Sequence, residues 1–123
     1  SFILQPLVEN ALYHGIKNKR GLGHILVSGK KQGGNLVFTV RDNGKGMDPE
    51  RLAYVQRLIR GGLKDEDAPS GFGLFNVNQR LQLNYGPGYG LFLASEEGGW
   101  TEVNVIIPAE KNELVRKKSN FYS

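Results

Sequence analysis

The stretch Leu36-Val-Phe-Thr-Val-Arg-Asp-Asn-Gly-Lys-Gly-Met47 contains a strand pattern that runs directly into a glycine-rich loop. Alternation of its side chains predicts a strand over residues 36–41. The glycines of residues 42–47 allow the backbone to approach a ligand, and Asp42 offers a fixed hydrogen-bond acceptor at the end of the strand. The alternative is a simple Asx-type turn, because Asp-Asn-Gly is common turn chemistry.

The segments on either side of this stretch are a predicted hairpin and a predicted helix. Gly33-Gly34-Asn35 favours a tight turn that joins a strand over residues 24–31 to the strand above. Asp48-Pro49-Glu50 supplies an N-cap, a proline in the first helical position and an early acid. These signals predict a helix that begins at residue 49 and ends near Arg60.

Farther out, apolar residues at a spacing of three to four predict helices over residues 2–18 and 71–84, and Leu12 belongs to the apolar stripe of the first. A glycine-rich turn then leads into two strands near residues 91–95 and 101–107. Strands in adjacent pairs with helices over one face predict an α/β (α+β) fold. We expect a two-layer sandwich with a mixed, mostly antiparallel sheet and about three helices on one face.

Length and composition exclude several classes of protein. The 123 residues fit one domain. The lack of cysteine excludes disulfides, thiolate metal sites and cysteine nucleophiles, and two histidines are too few for an all-imidazole metal cage. No apolar run approaches the roughly 20 residues of a membrane span, and no signal peptide is visible. We therefore expect a soluble, cytoplasmic domain without direct membrane contact.

The net charge of +4 is concentrated towards one end of the chain. Residues 109–123 contain four basic and two acidic side chains, so they account for half of the excess, and we expect them to form a basic C-terminal tail after a domain over residues 1–108. No nucleic-acid-binding motif accompanies this charge, which argues against a nucleic-acid partner. Because the sequence begins inside a helical pattern without a clear cap, we expect it to be truncated from a longer protein.

Polar residues form a second stripe on the first predicted helix, where Pro6, Asn10, His14 and Lys17 follow one another at helical spacing. The amide oxygen of Asn10 is a hard, neutral ligand that suits Mg²⁺, and His14 and Lys17 could contact phosphate. The alternative is an ordinary solvated face.

A third candidate is Gly71-Phe-Gly73-Leu74, which precedes the helix predicted over residues 71–84. Glycine-flanked amides at a helix N-terminus bind anions. The alternative is a simple loop-to-helix junction.

In chain order, Gln5-Pro-Leu-Val-Glu-Asn-Ala11, Asp42-Asn-Gly-Lys-Gly-Met47 and Gly71-Phe-Gly-Leu-Phe-Asn-Val77 resemble the N box and the two glycine boxes of GHKL (Bergerat-fold) ATP-binding domains. That superfamily contains sensor histidine kinases, heat-shock chaperone ATPases, type II topoisomerases and mismatch-repair ATPases. The residues of these motifs are most similar to those of the catalytic domain of LytS/YesM-type bacterial sensor kinases, and the resemblance covers residues 3–108.

The resemblance implies ATP and Mg²⁺ as cofactors. Asn10 would be the Mg²⁺ ligand that bridges to the phosphates, and Asp42 would accept a hydrogen bond from the adenine amino group. Residues 63–70 would form the ATP lid. The other residues that the resemblance places against the nucleotide are His14, Lys17, Gly44, Gly46, Met47, Gly71, Phe72, Gly73 and Leu74.

One departure from the family pattern bears on the reaction. GHKL ATPases place a water-activating glutamate four residues before the asparagine, and this chain has Pro6 there. Proline cannot act as a general base, which favours phosphoryl transfer to a separate nucleophile over hydrolysis. Glu9 is the nearest acid, and two interpretations stay open: a catalytic carboxylate, or one that steadies the first helix.

The resemblance implies the catalytic domain of a two-component sensor histidine kinase, which transfers the γ-phosphoryl group of ATP to a histidine outside this fragment. Its partners would be the histidine-bearing dimerisation region of a homodimeric, membrane-anchored parent and a response regulator. The alternatives are a GHKL ATPase, an anti-sigma-type serine kinase, or a nucleotide-free interaction scaffold. We expect ATP binding without self-phosphorylation, because His14 lies on the binding face and His24 begins a strand.

Overall fold

A four-stranded sheet is the framework of the computed structural model, which describes residues 3–16, 21–60 and 73–109, except for the side chains of residues 14 and 15. The strands are β1 (Ile25–Gln32), β2 (Asn35–Asp42), β3 (Gly90–Glu96) and β4 (Trp100–Pro108). Their order is β1-β2-β4-β3, and all three neighbouring pairs are antiparallel. The described strands thus form an antiparallel sheet, without the parallel pairing that a mixed sheet would add.

The predicted hairpin between β1 and β2 is confirmed. Gln32 lies opposite Asn35, so Gly33 and Gly34 alone form the turn. Gly33 has a φ of 60°, in the left-handed region that glycine adopts without steric penalty. This turn also receives the end of β4, because the Ala109 amide donates to the Gly34 carbonyl.

Helices pack against one face of the sheet, as predicted. They are α1 (Leu4–Asn10), α2 (Pro49–Ile59) and α3 (Gly73–Tyr85), and a π-helical segment (Ala11–Ile16) continues α1. Alternate residues of β4 are buried beneath them, which is the pattern of a strand with one face in the core. No helix in the described ranges is long and apolar enough to cross a membrane. The two-layer α+β sandwich predicted from the sequence is therefore confirmed.

The first helix differs from the single helix predicted over residues 2–18. α1 ends at Asn10, and in the π-helical segment each amide bonds to a carbonyl five residues back, which winds the chain more widely than an α-helix does. The wider winding shifts later residues out of the α-helical stripe. Leu12 is accordingly 52% exposed, so its predicted place in the apolar stripe was wrong.

The start of α2 follows the predicted cap. The Asp48 side chain accepts a hydrogen bond from the Arg51 amide at 2.8 Å, and Pro49 occupies the first helical position. The helix ends at Ile59 with Arg60 as its C-cap, close to the predicted end.

Polar side chains from α2 and α3 cover the outer edge of β3. Gln56 donates to the Leu93 carbonyl at 3.0 Å, Arg60 donates to the Leu91 carbonyl at 3.1 Å, and Asn78 accepts from the Leu91 amide at 2.8 Å. An uncovered strand edge is a template for pairing with another chain. Sequence reasoning singled out none of these three side chains for this role.

Candidate functional site

Asp42 is the last residue of β2, and its side chain is only 3% exposed. Its Oδ1 accepts a hydrogen bond from the Gly44 amide at 2.9 Å, so the Asx-type turn considered from the sequence is present. Burial raises the pKa of Asp42, and the Gly44 hydrogen bond partly opposes that rise. The result is a fixed carboxylate at the end of the sheet, in surroundings where hydrogen bonds are strong.

The loop after Asp42 approaches the turn between β3 and β4 very closely. Gly46 has a φ of 66°, and a Cβ atom there would collide with the Glu96 carbonyl oxygen. Only glycine meets both conditions. Gly44 is buried, and Met47 packs against the core. The structure thus brings together four of the residues that the resemblance places against the nucleotide, which are Asp42, Gly44, Gly46 and Met47.

Two hydroxyl groups complete this end of the sheet, and sequence reasoning missed both. Thr101 lies opposite Asp42 in the β2–β4 register and is 7% exposed. Its hydroxyl is 2.9 Å from the Ser95 hydroxyl, which accepts a hydrogen bond from the Met47 amide at 2.8 Å. The strand at residues 101–107 was predicted, but only its pairing with β2 places Thr101 beside Asp42.

Asn43 holds the loop to the segment before β1. Its Oδ1 accepts from the His24 amide at 2.6 Å, and its Nδ2 donates to the Leu22 carbonyl at 3.2 Å. The Asn43 amide also donates to the His24 carbonyl. Asn43 is therefore a structural residue of the loop that the sequence analysis did not identify.

The other two motifs meet the first through the core. Asn10 is half-buried at the end of α1, one helical turn after Pro6. A Cβ atom on Gly73 would lie 3.8 Å from the Pro6 Cβ, so the start of α3 is next to α1. Leu74, which follows Gly73, shares a core cluster with Val40, two residues before Asp42.

Of the remaining predicted site residues, one lies on the surface of α1, and for the others the residue or its side chain lies outside the described part of the chain. Glu9 is exposed, and its Oε1 accepts from Gln5 Nε2 at 2.9 Å, along the surface of α1. This contact agrees with a carboxylate that steadies the helix, while the catalytic role stays a prediction. Outside the described part of the chain lie the His14 side chain, Lys17, Gly71, Phe72 and the predicted lid at residues 63–70.

Asn10 is the residue that the resemblance assigns to Mg²⁺, and it lies in the described ranges. No group of three histidine, cysteine, aspartate or glutamate side chains is found there that could hold a metal ion. Mg²⁺ commonly binds one or two protein oxygens and takes its other ligands from phosphates and water. The single amide oxygen of Asn10 fits that mode of binding.

Two curated proteins are similar in sequence to nearly the whole chain. Sensor protein LytS of Bacillus anthracis is 33% identical over 122 residues, which is 97% of this chain and 20% of that protein. Sensor histidine kinase YpdA of Escherichia coli K12 is 37% identical over 114 residues, or 93% of this chain and 18% of that protein. The chain thus spans about a fifth of the length of these curated relatives.

A solved structure supports the fold. The histidine kinase domain from the Erythrobacter litoralis EL346 blue-light activated histidine kinase aligns with a TM-score of 0.57 and 22% identity, over 89% of this chain and 42% of that one. The family model described as "Histidine kinase-, DNA gyrase B-, and HSP90-like ATPase" matches residues 1–111. The chain therefore belongs to the histidine kinase-, DNA gyrase B- and HSP90-like ATPase family.

Proposed function

We propose that this chain is the ATP-binding catalytic domain of a sensor histidine kinase, in which Asp42 recognises adenine. Family membership supports ATP as the nucleotide, and similarity to the sensor proteins LytS and YpdA supports a sensor kinase. The single observation that carries the proposal is the buried carboxylate of Asp42 at the end of β2, which accepts a hydrogen bond from the Gly44 amide. The loop that follows it requires glycine at position 46.

Asp42 would select adenine through its charge. One oxygen is held by the Gly44 amide, and we assign the other to the exocyclic amino group of adenine. Guanine presents a carbonyl oxygen at the same position, which a carboxylate repels. Gly44, Gly46 and Met47 would form the wall of the base pocket, because they follow Asp42 in the same loop.

The phosphates would lie between α1 and the start of α3. Gly73 and Leu74 begin α3, where backbone amides and the helix dipole favour an anion. Gly71, Phe72, His14 and Lys17 belong to the same proposal on the resemblance alone. Asn10 would hold Mg²⁺, which neutralises phosphate charge when it is bound.

We further propose phosphoryl transfer rather than hydrolysis. Pro6 occupies the position of the water-activating glutamate of the ATPases, and it lies against Gly73 at the predicted phosphate site. Phosphoryl transfer depends mainly on positioning and charge, so the chain needs no covalent group of its own. The acceptor histidine would belong to the dimerisation region of a membrane-anchored, homodimeric parent that signals to a response regulator, and residues 109–123 would form a basic C-terminal tail.

Calorimetric titration with ATP, with and without Mg²⁺, tests this proposal on the native chain, Asn10→Ala and the exposed control Gln5→Ala. We expect Mg²⁺ to strengthen ATP binding to the native chain and to Gln5→Ala, and to have no such effect on Asn10→Ala. An assay for phosphohistidine should be negative because the acceptor would lie outside this chain, and an assay for released phosphate should be negative because Pro6 replaces the water-activating glutamate.

The alternatives predict different results in the same experiment. Rapid release of phosphate would favour an ATPase, and transfer to a serine of an added protein would favour a serine kinase. A folded chain that binds no nucleotide would favour the interaction scaffold.

A further inference from the structure

The hydroxyl group of Ser95, near the end of β3, bonds to three groups at once. It accepts from the Met47 amide at 2.8 Å, donates to the Trp100 carbonyl at 2.8 Å, and lies 2.9 Å from the Thr101 hydroxyl. A hydroxyl has one proton, and that proton points to the Trp100 carbonyl. The Thr101 hydroxyl is therefore the donor to Ser95, and the hydrogen-bonding capacity of Ser95 is fully used.

The turn between β3 and β4 also contacts the loop that follows Asp42. The Gly98 amide donates to the Lys45 carbonyl at 2.6 Å. The Glu96 carbonyl occupies the space that a side chain on Gly46 would need. Contacts at three consecutive residues, 45 to 47, thus fix the loop that follows Asp42 to the β3–β4 hairpin.

We propose that Ser95 is a positioning residue for recognition of the nucleobase, acting through Met47 and Thr101. It holds the Met47 amide, and with it the wall of the base pocket, at a fixed distance from β4. It also directs the Thr101 hydroxyl, which lies opposite Asp42. The proposal rests on the proposed function, and it assigns adenine selectivity to the β3–β4 hairpin as well as to Asp42.

Removal of this hydroxyl has a specific consequence. Ser95→Ala leaves the Met47 amide and the Thr101 hydroxyl without the acceptor they share, so the base-binding loop loses its fixed position. We expect ATP to bind about tenfold more weakly, which is the effect of one lost hydrogen bond. Binding of GTP should change little, because guanine does not form the proposed hydrogen bond to Asp42 that the positioned loop supports.

The experiment measures dissociation constants for ATP and GTP on four chains: native, Ser95→Ala, Ser95→Thr and Ser28→Ala. Ser28 is an exposed residue of β1 and is the matched control. We expect the ratio of ATP to GTP affinity to fall in Ser95→Ala, to be restored in Ser95→Thr, which keeps the hydroxyl, and to match the native value in Ser28→Ala.

Three outcomes would overturn the proposal. In the first, the ratio is unchanged in Ser95→Ala, whether both affinities fall together or neither does. In the second, Ser95→Thr binds ATP as weakly as Ser95→Ala. In the third, the native chain binds no ATP, which would overturn the proposed function as well, whereas the first two leave it intact.

Amide hydrogen exchange on the native chain gives a second test that does not depend on the folding of a variant. The Met47 amide should exchange slowly, because Ser95 accepts its proton. Exchange at Met47 as fast as at an open loop would overturn the proposal.

Discussion

Asp42 and Thr101 lie opposite each other on β2 and β4, at one end of the sheet face that packs into the core. The next pair along the same face, Val40 and Val103, is buried in the core. A carboxylate and a hydroxyl at the end of such a face are removed from water, and buried polar groups require specific partners. Under the proposed function, this pair would form the polar end of the base pocket.

The burial of Asp42 should make stability depend on pH. Because burial raises the pKa of Asp42 above 3.8, the folded chain keeps its proton to higher pH than the unfolded chain does. The free energy of unfolding attributable to Asp42 therefore falls as pH rises from the unfolded pKa through the folded one. Asp42→Asn, which does not titrate, should gain stability relative to the native chain over that range.

Urea denaturation of the native chain and Asp42→Asn at about pH 4 and about pH 7 measures this effect. Groups that titrate equally in both chains cancel in the difference. A difference that is constant with pH, or that favours the native chain at the higher pH, would contradict the burial of this carboxylate.

Asn78 should be a major contributor to stability. Its side chain is 1% exposed, donates to the Ile59 carbonyl at 2.7 Å and accepts from the Leu91 amide at 2.8 Å. Asn78→Ala leaves both backbone groups unpaired in the interior, so we expect the free energy of unfolding to fall by about 2–4 kcal/mol.

The control for Asn78→Ala is Asn76→Ala, at an exposed position of the same helix. Chemical denaturation should show a change of no more than about 0.5 kcal/mol for the control. Equal stability of the two variants would show that Asn78 does not join α2, α3 and β3.

Even a conservative replacement of Arg60 should lower the stability of the fold. Its guanidinium donates to the carbonyls of Pro87, Tyr89 and Leu91 at 3.0, 3.2 and 3.1 Å from two separate nitrogens, whereas a lysine ammonium has only one nitrogen to donate from. We expect Arg60→Lys to lower the free energy of unfolding by about 1–2 kcal/mol. Arg57→Lys, at an exposed position one turn earlier in α2, should be neutral in the same denaturation experiment, and equal losses would contradict the assignment.

Local sequence signals predicted the features that depend on neighbouring residues. Gly33 and Gly34 predicted the hairpin, Asp48 predicted the start of α2, and Asp42-Asn43-Gly44 offered the Asx-type turn as one of two interpretations. Each of these depends on backbone geometry or a hydrogen bond within a few residues, which a single sequence records.

Features that depend on distant residues could not be predicted in the same way. Ser95 and Thr101 reach the site only through the order β1-β2-β4-β3, in which β4 lies between β2 and β3. Asn78 looks like an ordinary polar residue of α3 until Leu91 and Ile59 are placed beside it. The exposure of Leu12 depends on π-helical winding, which leaves no periodic signal in six residues.

The most direct test of the account is a calorimetric comparison of ATP and GTP on the native chain, Asp42→Asn and Asp48→Asn. Asp48→Asn makes the same chemical change six residues away, and asparagine caps a helix as well as aspartate does. We predict that the native chain and Asp48→Asn prefer ATP by at least about tenfold. In Asp42→Asn the preference should largely disappear, because the amide offers a donor to the guanine carbonyl. Equal affinity of the native chain for ATP and GTP, or a preference that survives in Asp42→Asn, would contradict the assignment of Asp42 as the residue that recognises adenine.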